Sequence, residues 1–248
     1  MKVSCLMVTL GTPVRLPMIA RAVAAFGAQT HGERELVIVV DQRADSRVEA
    51  IRAIAPADVR LIVAQGLSLG ALRNRSVVEA DGDVVCQWDD DDLHHPGRIA
   101  AQLAALGAAD AVVLQDLLMR DAGGILRWTN WAATPAGGHP GTLMARRAAM
   151  PLYPEVGETA QRGEDLAVLE ALDSAGEVVR LAGAPHLYVY VSHEANSMSA
   201  AHHAMLARTL SISSGLLIRR EAALRAGLAP FSLGGTMVEG SNGAAFTL

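Results

Sequence analysis

The sequence predicts an α/β fold in which helices cover both faces of a mostly parallel central sheet. Through the first hundred residues, short apolar runs alternate with amphipathic helical stretches, which is the pattern of βαβ units. The apolar runs are nearly continuous, as in strands that are buried on both faces. The chain has 248 residues, of which 51% are hydrophobic and only 4% aromatic, so we expect one domain with an aliphatic core.

The first half contains five predicted strands, each an apolar run that ends at turn-forming or polar residues. The first run ends just before Gly11-Thr12-Pro13, for example. Strands are expected at Val3–Thr9, Glu35–Val40, Val59–Val63, Asp83–Trp88 and Asp110–Gln115, with helices around Leu16–Phe26, Ser46–Ile54, Leu69–Ala80 and Pro96–Leu106.

The regular alternation fades in the second half. Strands are expected at Ile125–Asn130, Gly141–Arg146, Val178–Leu181 and Leu187–Val191, with helices at Leu166–Leu172 (starting near Gly163) and over His202–Ala226. The tail from Pro230 is rich in glycine, and we expect it to be loosely held.

Composition and charge exclude several classes of protein. The net charge of −5 argues against a nucleic-acid partner. Cys5 and Cys86 lie in apolar runs, so we expect buried free thiols rather than disulfides or a zinc site. The N-terminus is typical of a strand rather than a signal peptide, and no apolar run reaches the roughly 18 residues of a membrane span. We expect a cytoplasmic protein.

Four consecutive carboxylates, Asp89–Asp92, follow the apolar run that ends at Trp88. The carboxyl ends of strands are where open α/β sheets bind ligands, and four like charges there are costly without a cation. A hard divalent ion that also contacts a diphosphate fits this pattern. Because side chains two residues apart point the same way, Asp89 and Asp91 are favoured as ligands. Capping of the helix near Pro96 explains one or two of the four carboxylates, but not all.

The same segment belongs to an ordered series of blocks that resembles the family 2 glycosyltransferases, which share the GT-A fold. The resemblance covers roughly residues 3–195, and its DXD-like metal-binding block is the segment that ends at Pro96. The matching blocks are Val3–Thr9, Glu35–Asp41, Leu69–Asn74, Asp83–Pro96, Gly141–Arg147 and Gly163–Leu166. The resemblance implies a GT-A-like, Rossmann-type α/β/α sandwich with a C-terminal helical extension. The expected domain is 1–200, with a nucleotide-binding half (1–115) and an acceptor half (116–200), followed by the extension and tail (201–248).

The resemblance also implies residues that bind a nucleotide sugar. Asp41 would contact the nucleobase or ribose, Arg73 would lie near the nucleotide, and Thr9, Asp89 and Asp90 would contact the donor. From residue type alone, Asp41 is equally well a turn residue, and Arg73 a solvated helix arginine.

Further residues are implied as metal ligands and as the base. Asp91, Asp89 and His193 would hold Mn²⁺ or Mg²⁺, although a lone histidine at a strand end is more often a satisfied polar residue. Asp165 would be the general base. Glu164 would replace it or hold acceptor hydroxyls, while the plainer interpretation of both carboxylates is favourable charge at a helix N-terminus.

The activity implied is metal-dependent, inverting transfer of a sugar from a nucleotide-diphospho-sugar to a hydroxyl group, in glycan or cell-surface polysaccharide assembly. A UDP-sugar is the default donor, although Val40-Asp41-Gln42 and Leu10–Pro13 depart from the family pattern at the nucleotide pocket. The acceptor is an unknown glycan or a lipid-linked molecule. Any peripheral membrane contact is expected along Met205–Leu224, for which burial against the domain is the more ordinary role.

Two other functions compete with this hypothesis. A sugar-phosphate nucleotidyltransferase is disfavoured because its glycine-rich loop is followed by a lysine, and this chain has none beyond Lys2. A non-catalytic nucleotide-sugar-binding module is disfavoured because it has no reason to keep both acidic centres, Asp89–Asp92 and Glu164-Asp165.

The remaining histidines and tryptophans leave their roles open. Trp128 and Trp131 suit either sugar stacking or core packing, and His139 lies in a Gly/Pro-rich loop that suits the acceptor side. His94 and His95 are expected in the turn before Pro96, and His202 and His203 at a solvated helix start.

Overall fold

The computed structural model describes residues 1–194, 196 and 198–248, and its first half is a series of strand–helix units. These elements are β1 (Val3–Thr9), α1 (Leu16–Gly27), β2 (Arg34–Asp41), α2 (Val48–Ile54), β3 (Arg60–Ala64), α3 (Leu69–Val78), β4 (Val84–Gln87), β5 (Leu93–His94), α4 (Arg98–Leu106) and β6 (Ala111–Leu114).

The second half is richer in antiparallel strands. It contains β7 (Asp116–Arg120), β8 (Leu126–Asn130), β9 (His139–Arg146), α5 (Glu164–Ala175), β10 (Val178–Leu181), β11 (Tyr188–Val191), α6 (Ala200–Leu210), α7 (Ser214–Arg219), α8 (Glu221–Leu228), β12 (Met237–Gly240) and β13 (Gly243–Thr247), with single 3₁₀ turns at Arg147–Ala149, Glu158–Ala160 and Pro185–Leu187.

The central sheet has the strand order β10-β6-β9-β4-β1-β2-β3 within the described residues. All neighbouring pairs are parallel except those of β9, which runs antiparallel to β4 and β6. Along β2, Leu36, Ile38 and Val40 enter the core on one face, whereas Val37 and Val39 enter the core on the other. Each such side chain contributes about 1.5–3 kcal/mol on burial. The near-continuous apolar runs of the sequence therefore reflect a sheet covered on both sides, as predicted.

A second sheet, with the order β13-β12-β8-β7-β11-β5, packs beside the first among the residues described. The expectation of a loosely held tail is wrong, because β12 and β13 form an antiparallel pair whose Val238 also pairs with Leu126 of β8. Val238 is fully buried, and a Cβ on Gly240 would lie 2.3 Å from the backbone nitrogen of Ser214. The glycines of the tail thus permit close packing instead of disorder.

The predicted helical stretch after residue 200 is divided into α6, α7 and α8. Ser199 and Ser213 cap the first two helices, and Ser211 forms an isolated bridge to Thr129 between them. Cys5 and Cys86 are buried free thiols on adjacent strands, as predicted. Among the described residues, no helix combines the length and the apolar character that crossing a bilayer requires.

Candidate active site

A cleft of about 710 Å³ opens at the carboxyl ends of β1, β2 and β4. This is the edge at which open α/β sheets bind ligands. The opposite wall comes from the loop before β9, the start of α5 and the residues around α6. Eight of the predicted site residues line this one cleft: Thr9, Asp41, Arg73, Asp89, Asp90, Asp91, Glu164 and Asp165.

The four consecutive carboxylates divide into two buried and two partly exposed side chains. Asp90 and Asp92 are each 2% exposed, whereas the side chains of Asp89 and Asp91 keep 23% and 13% of their surface. This is the two-residue alternation that the sequence predicts. Helix capping therefore does not account for the four carboxylates.

The two buried carboxylates hold the loop in place. Asp90 accepts hydrogen bonds from the Thr9 hydroxyl and, at 2.5 Å, from Nη1 of Arg15. Asp92 accepts from the Tyr188 hydroxyl and from the backbone N–H of Val191 at 2.7 Å. Burial and the neighbouring Asp91 raise the pKa of Asp90 to about 6. Contact of Thr9 and Asp90 with a nucleotide sugar stays a prediction, since both side chains bond to each other here.

Asp91 and His193 converge at the cleft. Oδ2 of Asp91 lies 3.0 Å from Nε2 of His193, 3.3 Å from Nη1 of Arg15 and 3.4 Å from Nδ2 of Asn196. Burial alone would raise the pKa of Asp91, but the His193 hydrogen bond and the Arg15 charge outweigh it and hold that pKa below its usual value. Asp91 is therefore a carboxylate that stays ionised. Ala195 and Ser197, close to His193 in the sequence, lie outside the described residues.

The side chains of Asp91 and His193 fit a divalent cation that takes some of its ligands from the protein and the others from a bound substrate. A carboxylate oxygen and an imidazole nitrogen are ligands that Mn²⁺ accepts, and Mg²⁺ is bound through one or two carboxylates plus phosphate oxygens. Within residues 1–194, 196 and 198–248, no three His, Cys, Asp or Glu side chains are grouped to hold an ion by themselves. The remaining ligands would thus be phosphate oxygens and water. Asp89 faces Arg73 and Gln87, and its role as a metal ligand stays a prediction.

Arg73 joins the two acidic centres. Its Nε donates to Oε1 of Glu164 at 2.7 Å, and its Nη2 lies 3.5 Å from Oδ1 of Asp89. Burial opposes the arginine charge, but Asp89 and Glu164 outweigh burial and raise the pKa of Arg73. The interpretation of Arg73 as a solvated arginine is wrong, since its side chain is only 11% exposed.

Asp165 and Glu164 differ in what they bind. Glu164 is 3% exposed and its carboxylate is held by Arg73. Asp165 accepts a hydrogen bond from the backbone N–H of Leu166 at 2.8 Å and lines the cleft. Burial and the charge of Glu164 raise the pKa of Asp165 to about 6. Asp165 therefore has the proton affinity of a general base that works near neutral pH.

Two cleft arginines were not singled out from the sequence. Arg43 holds Oδ2 of Asp41 with its Nη2 at 2.8 Å, which orients that carboxylate at the wall of the cleft. Arg15 contacts Asp90 and Asp91 across 75 and 76 residues of chain. No local pattern marks Arg15, because its contacts depend on the fold, whereas Arg43 lies only two residues from Asp41, and that proximity is a signal that could have identified it.

A buried arginine, Arg98, supports the acidic loop that is formed by Asp89–Asp92. Arg98 is fully buried between the rings of Trp88 and Tyr188, and it donates to the Gln87 carbonyl at 2.9 Å. It also lies 2.6 Å from Nδ1 of His94; since a guanidinium only donates, Nε2 of His94 carries the proton for the 2.9 Å bond to the Asp89 carbonyl. The prediction that His94 belongs to the turn before Pro96 is wrong: it lies in β5, where it pairs with Tyr188 of β11 and stacks on Trp88.

Replacing Arg98 by Met is expected to lower the free energy of unfolding by about 3 kcal/mol, because three buried acceptors lose their donor. Chemical denaturation measures this change. The control is Met in place of Arg219, an exposed residue at the end of α7, which should change stability by no more than about 0.5 kcal/mol. Equal stability of both variants would contradict the supporting role.

The other aromatic and histidine residues separate into core and cleft. Trp128 packs in the core of the second sheet and donates to Asp116, whereas Trp131 and His139 line the cleft. His202 and His203 line it as well, and His203 is 5% exposed with the Tyr190 hydroxyl 2.7 Å from its Nε2. The expectation of a solvated helix start is therefore wrong for His203.

Three comparisons with known proteins agree with this geometry. The family model described as glycosyl transferase family 2 matches residues 4–155. An uncharacterized glycosyltransferase of Bacillus subtilis, YwdF, is 32% identical over 114 residues, which are 45% of this chain and 41% of that protein. The chain thus aligns with less than half the length of this curated relative.

Similar solved structures show the same fold at low identity. TarS 1–349 of S. aureus in complex with UDP-GlcNAc is 15% identical, with a TM-score of 0.63 over 94% of this chain and 68% of that chain. The mannosyltransferase PcManGT of Pyrobaculum calidifontis in complex with GDP-Man and Mn²⁺ is 17% identical, with a TM-score of 0.55 over 92% of this chain and 63% of that chain. These likenesses confirm the predicted α/β sandwich of GT-A type. The match to the family model covers more than half of the chain, which therefore belongs to glycosyltransferase family 2.

Proposed function

We propose that the protein transfers a sugar from a nucleoside-diphosphate sugar to an acceptor hydroxyl, with a divalent metal and with inversion at the anomeric carbon. The observation that carries this proposal is the pair of acidic centres that line one cleft: Asp91, which contacts His193, and Asp165 beside Glu164. Arg73 connects them through Asp89 and Glu164. Such a pair supplies the two tasks of the reaction, which are binding of the leaving diphosphate and removal of the acceptor proton.

The Asp91 side of the cleft binds the donor diphosphate. Asp91 and His193 would hold Mn²⁺ or Mg²⁺, which supplies positive charge for the departing diphosphate. Arg15, within 3.3 Å of Asp91, adds a second positive charge at the same place. Asp41, oriented by Arg43, would contact the nucleoside. UDP is the default nucleotide; similar structures carry UDP-GlcNAc in one case and GDP-Man with Mn²⁺ in another.

The Asp165 side activates the acceptor, for which a glycan or a lipid-linked glycan is proposed. The acceptor oxygen forms its bond to the anomeric carbon on the face opposite the bond that breaks to the diphosphate oxygen. The acceptor proton passes to the Asp165 carboxylate, and the diphosphate departs with the bonding electron pair. Oε1 of Glu164 is engaged by Arg73, and binding of acceptor hydroxyls by Glu164 stays a prediction. Glu164 orients Arg73 and raises the proton affinity of Asp165.

The pH dependence of kcat/KM follows from the base. Because burial and Glu164 raise the pKa of Asp165 to about 6, the active carboxylate form is lost as the pH falls through that value. We expect kcat/KM to fall about tenfold per pH unit below about 6. A pH–rate profile at saturating metal measures this, and a flat profile down to pH 5 would contradict the role of Asp165.

A thermal-shift screen tests donor binding. UDP, GDP, CDP and dTDP are each added with Mn²⁺ and, separately, with EDTA. We expect one of them to raise the melting temperature in Mn²⁺ only, by RT ln(1 + [L]/Kd) converted to temperature. If none of the four shifts the melting temperature at millimolar concentration, the proposed donor site is wrong.

A further inference from the structure

We propose that Gln87, Asp89 and His139, arranged around Gly141, form a cradle for hydroxyl groups of the sugar that is transferred. The hydroxyl cradle is defined as these four residues, and all four line the cleft. The inference rests on the proposed function and deepens it, because it names the residues that select the donor sugar.

Orphaned polar atoms are the first observation. Among the residues described, three buried side-chain nitrogen or oxygen atoms have no hydrogen-bond partner: Gln87 Oε1, His139 Nδ1 and Arg120 Nε. Buried polar atoms are almost always paired, so each exception requires an explanation. Two of these atoms, Gln87 Oε1 and His139 Nδ1, belong to residues that line the cleft, where a substrate hydroxyl would supply the missing hydrogen-bond partner.

The second observation is that His139 and Asp89 face one point in space. The antiparallel register of β4 and β9, with Cys86 opposite Met144, places Asp89 beside Gly141 when it is continued. A Cβ on Gly141 would lie 3.1 Å from Nδ1 of His139 and 3.3 Å from Oδ2 of Asp89. That Cβ would also lie 2.9 Å from Cε1 of His139, which is too close for a side chain, so glycine lets both polar side chains approach the same stretch of backbone at the cleft.

The cradle is held rigidly. The Thr142 hydroxyl donates to the His139 carbonyl at 2.7 Å and accepts from the backbone N–H of Leu114, which sets the bend at the start of β9. The ring of Trp131 packs edge-on against His139 at 4.6 Å. Gln87 donates through Nε2 to Oδ2 of Asp89 at 3.2 Å, and its other amide atom is the orphaned oxygen.

The chemistry suits a neutral polyol. Burial, followed by the charge of Arg98, lowers the pKa of His139 to about 3, so its ring is neutral. A neutral imidazole nitrogen either donates or accepts, and a hydroxyl group satisfies both cases. Asp89 and the Gln87 oxygen accept from hydroxyls, and the bond to the carboxylate is charge-assisted.

The position of the cradle identifies which hydroxyls bind there. Asp89 is two residues from Asp91 and is linked to Glu164 through Arg73. The cradle therefore lies between the diphosphate side and the base. The group that spans these two sides is the sugar attached to the diphosphate, and the acceptor approaches from beyond the base.

Calorimetric binding in Mn²⁺ tests the cradle with two probe pairs, UDP with UDP-GlcNAc and GDP with GDP-mannose. Replacing His139 by Ala or Gln is expected to lower the affinity for the nucleotide sugar about tenfold and the affinity for the free diphosphate less than twofold. Gly141→Ala, whose Cβ would lie 2.9 Å from Cε1 of His139 and displace that ring, should do the same, whereas Gly215→Ala and His31→Ala leave both affinities unchanged. A Cβ on Gly215 would meet nothing within 4 Å, and the His31 ring contacts the Met1 carbonyl, outside the cleft lining.

Deoxy analogues separate hydrogen bonding from packing. For the probe pair that binds, removal of one sugar hydroxyl should lower the affinity of the wild-type protein for the nucleotide sugar about tenfold. The same removal should lower the affinity of His139→Ala much less. Equal losses for nucleotide sugar and free diphosphate, or no loss for either, would overturn the cradle while leaving the donor site intact. If the wild-type protein binds none of UDP, GDP, CDP and dTDP, the proposed function fails and the cradle fails with it; if it binds only CDP or dTDP, the same comparison is made with a sugar of that nucleotide.

Discussion

Replacement of Asp165 by Asn is expected to lower kcat for transfer by about 10²–10⁴-fold, the usual contribution of a general base. The amide keeps the size of the side chain and can still receive the Leu166 N–H, but it cannot take the acceptor proton. Binding of the nucleoside diphosphate should stay within twofold of the wild type, because Asp165 lies on the acceptor side. Initial rates at saturating donor, together with calorimetric diphosphate binding, measure the two effects.

The matched control for this substitution is Glu170→Gln on the same helix, whose exposed side chain is directed away from the cleft lining. It should transfer at the wild-type rate. If Asp165→Asn keeps transfer within fivefold of the wild type, Asp165 is not the base, and Glu164 becomes the group to substitute next.

Replacement of Asp91 by Ala is expected to abolish measurable transfer and to raise the Kd for the nucleoside diphosphate in Mn²⁺ about a hundredfold or more. The substitution removes the carboxylate that meets both His193 and Arg15. In EDTA, where no divalent ion is available, the variant and the wild type should bind the diphosphate within a few-fold of each other. Calorimetry in both buffers measures the difference.

Asp58→Ala, in an exposed turn, is the control for the loss of one carboxylate. It should leave unchanged the gain in diphosphate affinity that Mn²⁺ gives over EDTA. Circular dichroism checks that Asp91→Ala folds. An undiminished Mn²⁺ effect in Asp91→Ala would show that the metal binds elsewhere.

The first half of the fold was predictable because its signals are local. The apolar run Val3–Thr9 matches β1 to the residue, since a parallel strand buried on both faces has a nearly continuous apolar sequence. The two-residue alternation likewise separated Asp89 and Asp91 from their buried neighbours. These predictions need only two local features of the sequence: the two-residue period of a strand, and the run of like charges that follows the strand.

The contacts that were missed join distant parts of the chain. Arg15 reaches Asp90 across 75 residues. Arg98, whose sequence context is that of an ordinary helix arginine in the first turn of α4, lies against the ring of Tyr188 in β11. The tail was misjudged because its glycines suggest freedom, while their role is close approach: Gly240 touches the backbone at Ser213 and Ser214. The order in which strands join a sheet decides such contacts, and it is not a local property.

The stereochemical course of the reaction is the most direct test of the central claim, that a base on one side of the cleft and a metal-bound diphosphate on the other act on the same anomeric carbon. Real-time proton NMR of the donor that the screen selects, before the released sugar can mutarotate, reports the anomer formed when water serves as acceptor. From an α-linked nucleotide sugar the account predicts the β anomer first, in Mn²⁺ and not in EDTA, and no release by Asp165→Asn. Initial formation of the α anomer would contradict direct displacement with Asp165 as base.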